Sequence, residues 1–277
     1  MTQQISSLAE IAANYDAIVL DQWGVLHDGS APYGHALEAL TQLHASGIRL
    51  AVLSNSGKRA ALNVSRIEEI GFPLDIFSNV MTSGEALWQD IAKGLIPARR
   101  FFAIERSSGD AKAWALGLDI EFCDLRNAEA VLLMGLPDRS LLETWEPILF
   151  KMLEGDLPIY CSNPDRQSPR REGLVISPGA LGFAYADLGG NVCFYGKPHR
   201  PVFQALEKAF GSDQLLMVGD SLEHDIAGAQ KSGWDSVLVC GGLYAADFKQ
   251  GAFENTLARL VTEKECNPPT YTIEILK

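Results

Sequence analysis

The sequence predicts an α/β protein built on a doubly wound parallel sheet, and three observations carry this reading. Short apolar runs with β-branched members, such as Ala17-Ile18-Val19-Leu20, end at turns containing Gly, Ser or Asp, as strands buried on both faces do. Segments with apolar residues at helical spacing follow them, so strand and helix alternate. Several strand ends then present chemically loaded groups: Asp21, Ser54-Asn55, Lys197, and Asp220 with Asp225.

In chain order, Ser6 to Asn14 reads as a short helix leading into the strand before Asp21. A helix is predicted over Gly34 to Ala45, from Ala36, Leu37, Leu40 and Leu43, and it ends near Gly47. Ile48 to Leu53 is the next strand, closing at Ser54-Asn55-Ser56-Gly57, and Lys58 to Ile70 the next helix. The middle of the chain repeats the style. Helices are predicted over Ser83 to Lys93, Ala111 to Leu116, Arg139 to Leu153 and Pro178 to Leu188, with Pro178 in a first turn. Strands are expected at Arg100 to Ile104, Ala130 to Met134 and Pro158 to Cys161, and Asn163 to Gly173 reads as a polar loop. The last third returns to core-like strands at Val192 to Tyr195, Gln214 to Val218 and Asp235 to Cys240. A helix over Pro201 to Phe210 follows the first of them, and one through Ala229 the second. Gly241-Gly242 reads as a turn, and the tail after Thr262 shows no pattern. This order gives a core of residues 1–78 and 190–277, with a second α/β domain, residues 79–189, inserted between, of ordinary domain size.

Composition narrows the function. The chain has 277 residues, 47% hydrophobic and 21% charged, and a formal net charge of −12. With no long Lys/Arg run, this argues against a nucleic-acid or anionic-membrane surface. Five cysteines, odd in number and without a Cys-x-x-Cys pair, argue against a disulfide framework or a structural zinc site. No signal peptide or membrane-length apolar stretch is visible. A reducing cytoplasm is therefore the expected location.

In an open parallel sheet, ligands bind beyond the carboxyl ends of the strands. Each loaded group has an ordinary explanation when taken alone. Ser54-Asn55 would cap a helix, Lys197 would sit in solvent, and Asp220 and Asp225 would be a turn and a first-turn acid. Their joint placement after strands favours a single site. Mg²⁺ takes one or two carboxylates together with phosphate oxygens, a lysine and a hydroxyl suit a phosphoryl group, and an Asp can act as nucleophile.

These segments resemble the haloacid dehalogenase (HAD) superfamily hydrolases of the NagD-like subclass, class IIA. Asp21-Gln22-Trp23-Gly24-Val25-Leu26 lies at the first motif, Ser54-Asn55 at the second, Lys197 at the third, and Gly219-Asp220-Ser221-Leu222-Glu223-His224-Asp225 at the fourth. Ser162-Asn163-Pro164-Asp165 and Tyr195-Gly196-Lys197-Pro198 also resemble segments of this subclass. The resemblance implies a Rossmann-like core with a C2-type cap, an aspartyl-phosphate formed on Asp21, and Mg²⁺ held by Asp21, Asp220, the Trp23 carbonyl and, in support, Asp225. It also implies phosphate contacts from Ser54, Asn55 and Lys197, and substrate contacts from Asn163 and Asp165 in the cap. The expected partner is a small phosphorylated metabolite, with a homodimer as an option. Arg166, Arg170 and Arg171 would either meet an anionic tail of the substrate or sit solvated on their loop, and the polar loop Asn163 to Arg171 is expected to face the Asp21 pocket.

One departure stands out. Family phosphatases carry a second Asp two residues after the nucleophile, as general acid and base, and here Trp23 stands there. An indole offers no titratable proton, and losing a positioned acid/base costs about 10²–10⁴-fold in rate. His27 and Asp28 are the nearby substitutes, both expected on the loop surface. Two functions follow: a weak Mg²⁺-dependent phosphatase, or a nearly silent protein that binds a phosphorylated ligand and acts in regulation.

Overall fold

The structure, a computed structural model, describes residues 2–170 and 173–277. It divides into two compact units, one of Met1–Ser54, Ala61–Met81 and Lys197–Lys277, the other of Asn55–Ala60 and Thr82–Gly196.

The first unit is organised on a seven-stranded sheet. Its order is Gln3–Gln4, Tyr271–Ile273, Asp235–Val239, Leu215–Gly219, Ala17–Leu20, Leu50–Ser54, Phe77–Thr82. The pairings from Gln3–Gln4 across to Leu50–Ser54 are parallel. Side chains alternate between the faces, as a strand requires. Ile18, Leu20, Leu50, Val52, Leu216 and Val218 pack with Ala36, Leu40, Leu43 and Ile67 on one side. Leu238 packs with Leu222, Ile226, Leu257 and Leu260 on the other. Helices therefore cover both faces, and the doubly wound fold read from the sequence is the one observed. From Ala17–Leu20 the chain crosses to Leu50–Ser54 on one side, whereas Leu215–Gly219 leads to Asp235–Val239 on the other. The strand order thus reverses between Leu20 and Gly219, which opens a crevice at the carboxyl ends of these two strands.

The second unit has its own parallel sheet, ordered Val192–Phe194, Ile159–Cys161, Ala130–Leu133, Arg100–Ile104, Glu121–Phe122. Its core joins Ile104, Val131, Leu133, Ile159 and Phe194 to Leu149, Met152, Leu181 and Tyr185 of the covering helices.

Several elements differ from the sequence reading. Val192–Phe194, expected in the core sheet, pairs instead with Ile159–Cys161, the helix Pro178–Asp187 carrying the chain back beside that strand. The polar stretch after Asn163 is not all loop, for Gln167–Arg170 and Gly173–Ile176 form an antiparallel ribbon. Ser6 to Asn14 makes two single 3₁₀ turns, the first opened by a capping box of Ser7 and Glu10. The helix expected from Arg139 begins at Glu146 after a 3₁₀ turn, because Pro147 lacks the N–H that a helix interior needs and is tolerated only in a first turn. Phe77–Thr82, Tyr271–Ile273 and the helix Phe253–Glu263 had no counterpart in the reading. No helix among the described residues is long and apolar enough to cross a membrane.

Leu50 is fully buried in the face that covers the Asp21 strand. Leu50→Ala should lower unfolding stability by about 2–5 kcal/mol, measured by chemical denaturation.

Candidate active site

Ala17–Leu20 and Leu215–Gly219 run parallel in direct register, Leu20 beside Val218, so Asp21 and Asp220 leave the sheet as neighbours. After Gly219 the chain makes a five-residue π turn, Leu222–Ile226. The Ile226 amide reaches back to the Ser221 carbonyl at 3.1 Å, a wide turn of the kind found at functional positions. It turns Asp225 inward, fully buried, where its Oδ2 accepts from the Ser221 amide at 3.0 Å. Carboxylate oxygens of Asp21, Asp220 and Asp225 all lie within 4.8 Å of one another.

Lys197 enters from the other end of the chain, buried to 3% exposure. Its Nζ donates to Asp21 Oδ1 at 2.5 Å and to Asp225 Oδ1 at 2.6 Å. Burial works against the ammonium charge, but the two carboxylates outweigh it and the lysine pKa is raised. Asp21 has its pKa raised, by burial first, with the Lys197 charge opposing and the Asp225 charge adding. Asp220 is pushed up to about 8 by burial and by the charges of Asp21 and Asp225, and its Oδ2 accepts from the Leu243 amide at 2.9 Å. Gly24 crowds this group: it has φ +78°, and a Cβ there would overlap the Asp220 carboxylate. Only glycine meets both conditions. Three carboxylates against one ammonium leave two negative charges when all are ionised, and their hard oxygens fit a dication such as Mg²⁺.

Family comparison agrees with this geometry. A model described as haloacid dehalogenase-like hydrolase matches residues 18–118, and a second, HAD-hydrolase-like, matches 194–262. The chain belongs to the haloacid dehalogenase-like hydrolases. A haloacid dehalogenase-like hydrolase from Brucella suis 1330 has a solved structure similar to this one, with 29% identity, 99% of this chain and 100% of that one covered, and a TM-score of 0.78. The chain is also 24% identical to glycerol-3-phosphate phosphatase of Gallus gallus, over 88% of this chain and 86% of that protein. The fold is shared with p-nitrophenyl phosphatase from Archaeoglobus fulgidus, at 21% identity, 95% and 97% coverage and a TM-score of 0.74.

Trp23, two residues after Asp21, is 55% exposed. Its ring lies against Gly29 and edge-on to His27, with ring centroids 6.3 Å apart. His27 is not on the loop surface. It is 1% exposed, because the loop folds back with the Leu26 amide bonded to Gln22 O and the Tyr33 amide to Leu26 O. His27 Nδ1 accepts from the Gly29 amide at 3.0 Å, and burial lowers the pKa of the ring, with Arg66 assisting. Asp28 is on the surface as expected. Its Oδ1 accepts from the Ala31 and Ser30 amides and the Ser30 hydroxyl, bonds that hold its carboxyl at about 2. Asp28 is thus ionised at neutral pH and has no proton to give.

The remaining positions separate by unit. Ser54 closes its strand in the first unit, half-buried. Asn55, Asn163 and Asp165 belong to the second unit, where Asn55 Nδ2 donates to Asp165 Oδ1 at 2.8 Å and the Asp165 amide donates to Asn163 Oδ1 at 2.9 Å. Arg166 lies over the Phe183 ring, 3.9 Å from its centroid, so its guanidinium takes part in packing. Arg171 and the side chain of Arg170 lie outside the described residues. Sequence reasoning missed the Leu243 amide that holds Asp220. The signal available for it was Gly241-Gly242, which frees the turn after the last long strand.

A carboxyl whose pKa is higher in the folded than in the unfolded state binds its proton more tightly when folded. Stability then falls as pH rises from the ordinary Asp value of 3.8 toward about 8. A dication competes with protons for the same oxygens and removes that penalty. In thermal melts, the metal-free protein should lose stability between about pH 5 and 8, and Mg²⁺ should restore more of it at pH 8 than at pH 5. Equal restoration at both ends would contradict the assignment of Asp220.

Proposed function

We propose that the chain is a Mg²⁺-dependent phosphatase of small phosphorylated metabolites, a sugar phosphate or a nucleotide-like compound, acting through Asp21. The observation that carries this reading is the buried Lys197 ammonium held between Asp21 and Asp225, beside a third carboxylate at the sheet's switch point. Asp21, Asp220, Asp225 and the Trp23 carbonyl are the groups that would hold the ion, which when bound neutralises negative charge on the phosphoryl group. Asp21 supplies a carboxylate oxygen that bonds to phosphorus as the bond to the leaving oxygen breaks, the electron pair departing with that oxygen. Water then attacks the aspartyl-phosphate at phosphorus, releasing inorganic phosphate and regenerating the carboxylate. Lys197 orients Asp21 and, with Ser54 and Asn55, contacts the phosphoryl oxygens. The second unit selects the substrate.

Proton supply limits this reaction. Trp23 has no proton to give and Asp28 is already ionised, so the leaving oxygen departs as an anion or takes its proton from water. Slow turnover favours a second reading, a phospho-ligand-binding regulatory protein, and its observation is the same Trp23. Five free cysteines suit a reducing cytoplasm in either case.

Two outcomes test the proposal. Hydrolysis should require Mg²⁺, and an aryl phosphate should be cleaved far faster than an alkyl phosphate, since only the aryl oxygen leaves readily without protonation. Trp23→Asp should narrow that ratio by raising the alkyl rate, about 10²-fold for a well-placed acid, at little stability cost because the indole is largely exposed. Absence of Mg²⁺-dependent turnover with both substrates would favour the binding role.

A further inference from the structure

Asp165 sits in the second unit, and its backbone and side chain are fixed from several directions. Its amide closes a turn on Asn163 Oδ1 at 2.9 Å, and its carbonyl accepts from the Gly179 amide at 3.1 Å, at the start of the helix Pro178–Asp187. The preceding Pro164 packs against Gly196, where a Cβ would come within 2.4 Å of the proline Cδ and 2.7 Å of Asn55 Oδ1. One glycine therefore admits both side chains. Against this frame the Asp165 carboxylate accepts from Asn55 Nδ2 at 2.8 Å. Both residues are half-buried, so the bond is partly shielded from water.

A primary amide turns readily about its last side-chain bond, and its oxygen and nitrogen ends have nearly the same shape. At a phosphate the two ends are opposite in effect, since the nitrogen donates and the oxygen repels. A carboxylate can accept only from the nitrogen end. It therefore fixes which end of Asn55 points where, and a charged acceptor does so more firmly than a neutral one.

We infer that Asp165 is a positioning residue for Asn55: it fixes the orientation of the amide that contacts the phosphoryl group, and it does not itself read the rest of the substrate. This inference rests on the proposed phosphate contact of Asn55. It also reassigns Asp165, which the sequence pattern placed among the substrate contacts.

Inorganic phosphate is the decisive probe, because it has no leaving group for a specificity residue to read. The inhibition constant of inorganic phosphate is measured against aryl phosphate hydrolysis for the wild type, Asn55→Ala, Asp165→Ala, Asp165→Asn and the double variant Asn55→Ala/Asp165→Ala. Asn55→Ala should weaken phosphate inhibition roughly tenfold or more, the range for a hydrogen bond to a charged group. Asp165→Ala should approach that loss, and the double variant should be no worse than Asn55→Ala alone. Asp165→Asn keeps an acceptor oxygen and should stay within about threefold of the wild type. Thermal melts accompany each variant. If Asp165→Ala is unfolded, Asp165→Leu, of similar length and without an acceptor, carries the same expectation. An unchanged inhibition constant in Asn55→Ala would overturn the phosphate contact itself. A normal Asn55→Ala response with unchanged inhibition in Asp165→Ala, or with additive losses in the double variant, would overturn only the positioning role.

Discussion

The first unit depends on the Lys197 ammonium shared by two carboxylates. A buried lysine is tolerated only when paired, and this one is paired twice, at 2.5 and 2.6 Å. Each partner is fixed by a separate piece of backbone. Asp21 is the first residue beyond a central strand, its amide bonded to Val218 O at 2.9 Å. Asp225 is turned in by the π turn and held by the Ser221 amide. Removing one carboxylate would still leave the ammonium paired with the other, whereas removing the lysine would leave buried carboxylate charge uncompensated, a loss of about 3–5 kcal/mol in comparable pairs. Asp220 then faces two carboxylates with a backbone amide as bonded support, and burial together with those charges raises its pKa to about 8. The cluster thus carries more negative than positive charge, an imbalance that suits a hard cation.

Much of this was legible in the sequence because parallel strands buried on both faces write continuous apolar runs. Ala17–Leu20 and Leu215–Gly219 are both buried throughout, and each run stops where a loaded residue begins. The helix Gly34–Ala45 was legible to the residue, since its apolar positions repeat at helical spacing. What escaped depends on partners far away in the chain. Val192–Phe194 has only three residues, and nothing local distinguishes the sheet it joins. Tyr271–Ile273 gains its place by pairing with Asp235–Val239 and Gln3–Gln4. In the candidate site, Asp21, Lys197, Asp220 and Asp225 could be read from strand ends, but the bond from Asn55 to Asp165 spans 110 residues. The burial of His27 was hidden for a different reason: a loop of polar and glycine residues reads as exposed, and only its folding back onto Gln22 and Tyr33 encloses the imidazole.

On the proposed function, the loop from Asp21 to Tyr33 separates two tasks, orienting the nucleophile and moving the proton of the leaving group. Orientation and charge at Asp21 depend on Lys197 and on neighbouring carboxylates, none of which involves the side chain at position 23. In the proposed reaction, proton transfer from a side chain would fall to position 23. Replacing it with an indole therefore leaves the electrostatic apparatus complete. The loop stays ordered around the ring, Gly29 lying against the indole and His27 packing at its edge.

Under the proposed mechanism, that separation decides what chemistry remains open. A nucleophile oriented by Lys197 would attack phosphorus regardless of the leaving group, but the bond would break only when the departing oxygen can carry its electrons. With no acid at position 23, substrates sort by the basicity of that oxygen more than by its shape. The aspartyl-phosphate is itself an acyl phosphate with a good leaving carboxylate, so its hydrolysis needs activated water more than a proton donor. The indole lacks both functions. The step most exposed to the substitution therefore changes with the substrate: release of the first product for an alkyl phosphate, and release of phosphate from Asp21 for an aryl or acyl phosphate.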